Sequence, residues 1–206
     1  MVALKDLQTG DLILFDTKPP VSNVFYYIFD KLVQIFTQSR YTHCGMILKD
    51  PTFLNLPLGT YIWECGIEKT LDPQDNEKKF GVQICNIETY KKSWSYETVP
   101  FVRQWSLDFF ERSELLNDQI LAKIHKKVYN KPYDTNIHDW IDGLLKIDKI
   151  KTTKRFWCSA FVGFLFTQLQ LVYTKDFSML TPNDLSDMSK VLVYRYNLKN
   201  DELLEW

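Results

Sequence analysis

Four short segments rich in strand-forming residues follow one another at 42–48, 60–65, 81–87 and 98–105, separated by Pro/Asn/Gly-containing or charged stretches. Short connections of this kind favour an antiparallel sheet. A further strand is expected at 11–16, where Thr9-Gly10 supplies a turn before a run of Leu, Ile and Phe, and a last one at 191–196. Around the strands lie helical patterns. At 113–130, Leu116, Ile120, Leu121, Ile124 and Val128 form one stripe before Lys131-Pro132 stops the helix. At 158–172, Phe161, Phe164, Leu165 and Leu169 mark a deeply packed helix. Thr181-Pro182-Asn183-Asp184 places a capping Thr, a Pro at the first helical position and an acid at the third. The fold class expected is α+β, an antiparallel sheet packed with helices. With 206 residues and no repeat or low-complexity linker, one domain spanning 1–206 is expected.

After Pro19-Pro20, the segment 24–36 carries Val24, Phe25, Ile28, Phe29, Leu32, Val33 and Phe36 at helical spacing. It packs on the sheet or forms a wall for an apolar substrate or a peripheral lipid contact. Asp30, Lys31 and Gln34 interrupt it, so it falls short of the roughly 20 apolar residues of a membrane span. The N-terminus has no basic region followed by a long apolar run, and a classical signal peptide is not expected. A formal net charge of -1 gives no field that would draw the chain to nucleic acid. The four cysteines lack the spacing of a disulfide framework or a paired zinc ligand set, which suits the cytoplasm or another reducing compartment; a virion is the alternative for a viral source. No cofactor is expected.

The chemistry-bearing residues sit on these elements. His43 lies on a strand, two residues before Gly45, a position that lets a ligand or another backbone approach closely. On the next strand Glu64 stands among residues that read as buried, and a buried carboxylate calls for a partner. Alternation lets His43 and Glu64 share one face while Cys44 and Cys65 point to the other. A carboxylate on one imidazole nitrogen fixes the tautomer and leaves the second nitrogen for a nucleophile. Cys158 opens an apolar helix, where the dipole and unpaired N–H groups favour a thiolate and can hold an oxyanion. Each of these residues also has a plain structural reading: a satisfied histidine, a small buried thiol. Tyr41 and Ser159 are further candidates for contacting substrate or oxyanion, Tyr41 reading also as a half-buried strand tyrosine. A metal site built from His43, Cys44, Cys65 or Cys158 is disfavoured because alternation divides the ligands. His125 is expected on a solvated face, His138 in a loop and Cys85 in the core, none of them in the mechanism.

In order along the chain, Gly10-Asp11-Leu12-Ile13, Thr42-His43-Cys44-Gly45, Trp63-Glu64-Cys65-Gly66 and Trp157-Cys158-Ser159-Ala160-Phe161-Val162 resemble the permuted NlpC/P60 branch of the papain-like superfamily. Pro132-Tyr133-Asp134 and Thr181-Pro182-Asn183-Asp184-Leu185 resemble accessory motifs of its bacterial and poxvirus-type members. The resemblance implies a papain-like fold and a cysteine hydrolase, with Cys158 as nucleophile, His43 as base and Glu64 as the orienting group. It implies a peptide, amide or acyl-lipid substrate. The related lecithin:retinol acyltransferase group differs by a second His in the third role and an Asn-Cys-Glu-His motif, from which Glu64 and Cys158-Ser159 depart. Cleavage of an amide or peptide bond is therefore the first expectation. Acyl transfer or lipid-ester cleavage is the second, and a binding scaffold without turnover the third.

Overall fold

A computed structural model of the chain describes residues 1–18, 39–67, 70–93, 97–134, 154–174 and 176–205. The helix expected at 24–36 and the loop histidine His138 lie outside the described residues.

The strands are β1 (Val2–Ala3), β2 (Leu12–Lys18), β3 (His43–Lys49), β4 (Thr60–Ile67), β5 (Phe80–Asn86), β6 (Glu97–Arg103), β7 (Val172–Tyr173), β8 (Val193–Tyr194) and β9 (Glu202–Glu205). Seven of them form one sheet in the order β1-β9-β6-β2-β3-β4-β5, antiparallel except for the β1–β9 pair, while β7 and β8 pair separately. With helices α1 (Ile87–Ser93), α2 (Phe109–Leu115), α3 (Asp118–Val128) and α4 (Cys158–Gln168), the chain is a mixed α+β structure. No helix among the described residues is long and apolar enough to cross a membrane.

The period-2 alternation of the strands gives the sheet two faces. Leu14, Cys44, Met46, Trp63, Cys65 and Ile84 belong to the larger core, which α4 completes. Ile13, Phe15, Ile47 and Ile62 belong to a smaller cluster on the opposite face, with Ile87 and Tyr90 of α1. Helix α4 lies between β3–β4 and the turns at 177–185, and for that reason Cys158 through Phe166 are all buried. Phe161 is fully buried, with its ring edge-on to Trp63 at 5.7 Å and to Phe156 at 5.5 Å. Truncating it leaves a cavity that the surrounding rings cannot fill. Phe161→Ala is expected to lower stability by about 3–5 kcal/mol, read as a shift of the denaturant midpoint.

Several boundaries differ from the sequence expectations, each for a local reason. The single helix expected at 113–130 is two, α2 and α3. Asn117 has extended backbone and its side chain accepts from Ile120 N at 3.0 Å, capping α3 and ending helical continuity. The strand expected to reach Ile87 ends at Asn86, whose Oδ1 accepts from Glu88 N at 3.1 Å and Thr89 N at 3.2 Å and starts α1. Helix α4 stops at Gln168, the chain reverses at Gln170 with φ 56, and Val172 belongs to β7. Of the strand expected at 191–196, only Val193–Tyr194 is paired. Strands β1 and β9 escaped the sequence reading because they are short; of the four residues in β9 only Leu204 is buried.

Candidate active site

Strand β3 starts at His43 and runs antiparallel to β4, with Gly45 opposite Glu64. Continuing that register puts Gly66 opposite His43. A Cβ on Gly45 would meet Ile62 Cγ2 at 2.6 Å and Glu64 Cβ at 3.4 Å. A Cβ on Gly66 would meet His43 Cε1 at 3.3 Å and Glu64 Oε1 at 3.4 Å. In each strand the glycine two residues beyond the functional side chain clears the space that the partner's side chain occupies. His-x-Gly and Glu-x-Gly are thus two halves of one diagonal pair, closed by a 2.6 Å contact between His43 Nε2 and Glu64 Oε2. The Glu64 side chain is 2% exposed and that of His43 21%, so the carboxylate lies beneath an imidazole that still reaches toward solvent.

Glu64 has a donor at every quarter. Oε1 accepts from Gln83 Nε2 at 2.7 Å and from the Cys85 thiol at 3.6 Å; Oε2 accepts from the Tyr90 hydroxyl at 3.1 Å as well as meeting His43. Four acceptor sites of an ionised carboxylate are thereby filled. The imidazole is held on its flat side too. Phe15, its cross-strand neighbour on β2, stacks on it with centroids 5.7 Å apart and planes 14° from parallel. Because Nε2 is taken by Glu64, Nδ1 is the nitrogen left to face Cys158.

Cys158 is 6% exposed at the first position of α4. Trp157, the N-cap, has extended backbone and offers no side-chain cap, so the leading N–H groups are not consumed by a cap. The helix start is pinned from outside instead. The Leu180 carbonyl accepts from Ser159 Oγ at 2.6 Å and Trp157 Nε1 at 3.1 Å. The Thr181–Asp184 capping box shapes the turn that carries Leu180. One residue before Trp157, the Phe156 carbonyl accepts from Asp134 N at 2.8 Å and from the Cys65 thiol at 3.1 Å, and Phe156 N donates to the Pro132 carbonyl at 3.2 Å. The segments Pro132-Tyr133-Asp134 and Thr181–Leu185 therefore both serve the approach to Cys158.

Electrostatics separates the thiols. A hydrogen bond from Cys44 holds Cys158 well below the ordinary thiol range against the opposing effect of burial, reinforced by His43 and by the Ser159 N–H. Burial pushes Cys44 well above that range, and so does the neighbouring Cys158; burial and the Cys158 charge do the same to Cys65. Burial alone would lower the His43 pKa, yet the Glu64 charge and hydrogen bonding with Cys158 and Glu64 carry it up to about 10. Burial alone would raise Glu64, and the His43 charge with the bonds from His43, Gln83 and Tyr90 brings it below the usual carboxylate value. These directions favour a Cys158 thiolate beside a His43 imidazolium and a Glu64 carboxylate, with Cys44 and Cys65 as neutral thiols. The chain matches no known family model and no curated protein.

The other sequence candidates stand elsewhere or act differently. Tyr41 is 2% exposed, and its hydroxyl donates to Asp201 Oδ2 at 2.6 Å, so it is not free to serve an oxyanion. The Ser159 hydroxyl is likewise committed, to Leu180; it is the Ser159 backbone N–H that reaches the Cys158 sulfur. Asp11 is buried near the start of β2, accepting from Gln8 N at 2.9 Å and Gln104 Nε2 at 3.3 Å, and burial raises its pKa to about 6. It is a staple of the sheet rather than a partner of His43. His125 is not on a solvated face: its ring lies 5.9 Å from Trp63, 6.0 Å from Phe53 and 5.2 Å from Tyr129, and burial lowers its pKa. Cys85 is buried as expected of a core thiol but touches Glu64, and Cys44, though it packs on the opposite sheet face from Glu64, meets Cys158. Among the described residues no group of three or more His, Cys, Asp or Glu is arranged to hold a metal ion. Gln83 and Tyr90 escaped the sequence reading altogether. The signal available for Gln83 was its place two residues before Cys85, a polar side chain on a strand face otherwise expected to be buried.

Proposed function

We propose that the chain is a cysteine hydrolase that cleaves an amide or peptide bond through an acyl-enzyme on Cys158, with a fold of the permuted papain-like type. The observation that carries the reading is the pairing of His43 Nε2 with Glu64 at 2.6 Å, which leaves Nδ1 for a thiol held low at the uncapped start of α4. The motif resemblance to NlpC/P60 proteins supports the same assignment. A reducing compartment is part of the proposal, since Cys158 must be kept as a thiol.

The directions of the charges define the order of steps. The proton already rests on His43, so the Cys158 thiolate attacks the carbonyl carbon directly. The oxyanion that forms meets the Cys158 backbone N–H and one further donor. His43 then gives its Nδ1 proton to the departing amine, the C–N bond breaks, and a thioester on Cys158 is left with a neutral imidazole. A water molecule loses a proton to His43 as it attacks the thioester, and collapse releases the carboxylic acid product and restores the thiolate–imidazolium pair. His43 acts first as acid and only then as base.

The test is the pH dependence of iodoacetamide alkylation with mass spectrometry locating the label. Cys158 is expected to react selectively well below the ordinary thiol pKa of about 8.5. The other three cysteines are fully buried and provide internal controls. In His43→Ala the Cys158 profile is expected to move up toward that ordinary value. Equal labelling of all four cysteines, or a profile indifferent to His43, would rule out the activated pair and leave the scaffold without turnover.

A further inference from the structure

We infer that Gln83 and Tyr90 are positioning residues that hold Glu64 ionised against His43, and so set the pH range over which Cys158 and His43 stay an ion pair. The inference rests on the cysteine-hydrolase reading of the same site.

Gln83, Cys85 and Tyr90 come from one continuous stretch, the end of β5 and the helix α1 that leaves it without a loop. Among the described residues, the titratable groups that bond or couple to Glu64 are His43 and Cys44 from β3, Cys65 on its own strand, Cys85 from β5 and Tyr90 from α1, while Cys158 from α4 meets His43 and Cys44. His43 is the cation that meets it. Gln83 and Tyr90 each place a donor on a different oxygen; a proton on Oε1 would confront an N–H that cannot accept, and a proton on Oε2 would force the Tyr90 hydroxyl to turn from donor to acceptor. The geometry suits the carboxylate and opposes the acid.

Two features separate this from ordinary packing. Gln83 is 1% exposed, and its Oε1 is buried with no hydrogen-bond partner among the described residues, while its Nε2 serves Glu64. An orphaned buried acceptor is destabilising, and a side chain needed only to fill space would not carry one. Tyr90 bears on both members of the pair: its hydroxyl bonds Glu64, and its ring lies 5.7 Å from Phe15, which stacks on His43.

Without these donors the buried carboxylate takes up a proton at higher pH, because burial disfavours its charge. His43 then faces a neutral partner, its imidazolium loses support, and Cys158 loses the cation that stabilises its thiolate. The window narrows from both sides. In Tyr90→Phe and in Gln83→Met, the alkylation midpoint of Cys158 is expected to rise by about one pH unit, a tenfold loss of reaction below it. The midpoint of the His43 ring-proton resonance is expected to fall. A structural role alone would scale the rate equally at every pH. Unmoved midpoints in Tyr90→Phe and Gln83→Met would therefore overturn the inference. Tyr90→Phe keeps the ring against Phe15, so its profile decides the matter if a Gln83 variant does not fold. If wild-type Cys158 itself reacts as an ordinary thiol, the hydrolase reading fails instead.

Discussion

Replacing Cys158 with alanine is expected to abolish turnover of a panel of acyl aminocoumarin amides and nitrophenyl esters while leaving the fold in place. Loss of a nucleophile acts on the scale of about six orders of magnitude in rate. The fold is expected to persist, checked by circular dichroism, because the change removes one sulfur atom at a position fixed by its neighbours. A second consequence follows from the charges. The Cys158 anion helps raise His43, so the His43 ring resonance should titrate lower in Cys158→Ala than in the wild type. Retained turnover in this variant would remove Cys158 from the mechanism. An unmoved His43 titration would show that the two side chains do not share a proton.

Replacing Glu64 with alanine should be the most damaging single change for activity and stability together. Catalysis is expected to fall by about three to four orders of magnitude, because the imidazole loses the group that sets its tautomer and supports its positive charge. Stability should fall by about 3–5 kcal/mol, because Gln83 Nε2, the Tyr90 hydroxyl and the His43 ring are left in a buried space without their acceptor. This cost depends on pH. Glu64 is depressed in the folded state, so its contribution is present above the reference value of 4.5 and is lost as pH falls through the folded value. His43 is raised, so its contribution is complete below 6.5 and is lost as pH rises through about 10. The stability gap between wild type and Glu64→Ala should therefore be widest between pH 4.5 and 6.5 and shrink on either side. Urea unfolding from below pH 4.5 to about pH 10 measures it, and a gap independent of pH would show that Glu64 serves packing alone.

Much of the core of this site could be read from local pattern. Alternation along two strands was enough to put His43 and Glu64 on one face, because side-chain direction in a strand is a property of the backbone. An apolar run beginning after Trp157 was enough to place a thiol at a helix start. What failed locally failed for local reasons: one side-chain amide at Asn117 divided an otherwise continuous helical stripe, and another at Asn86 turned a strand into α1. Propensity and periodicity average over such single hydrogen bonds. The solvated face expected for His125 was overturned because solvent exposure of a helix face depends on what crosses it, here Phe53 and Trp63 from distant segments.

The sequence by itself determined the mixed α+β class, the antiparallel run of strands in its first half, and which residue types could carry chemistry. Each of these follows from spacing within a few residues. Only the tertiary structure decided the pairing of Gly45 with Glu64, the arrival of Gln83, Cys85 and Tyr90 on one carboxylate, and the meeting of Cys44 with Cys158. Register and interlayer packing are set by contacts between segments far apart in the chain, and a one-residue slip of β3, β4 or β5 would turn that strand's side chains to the other face.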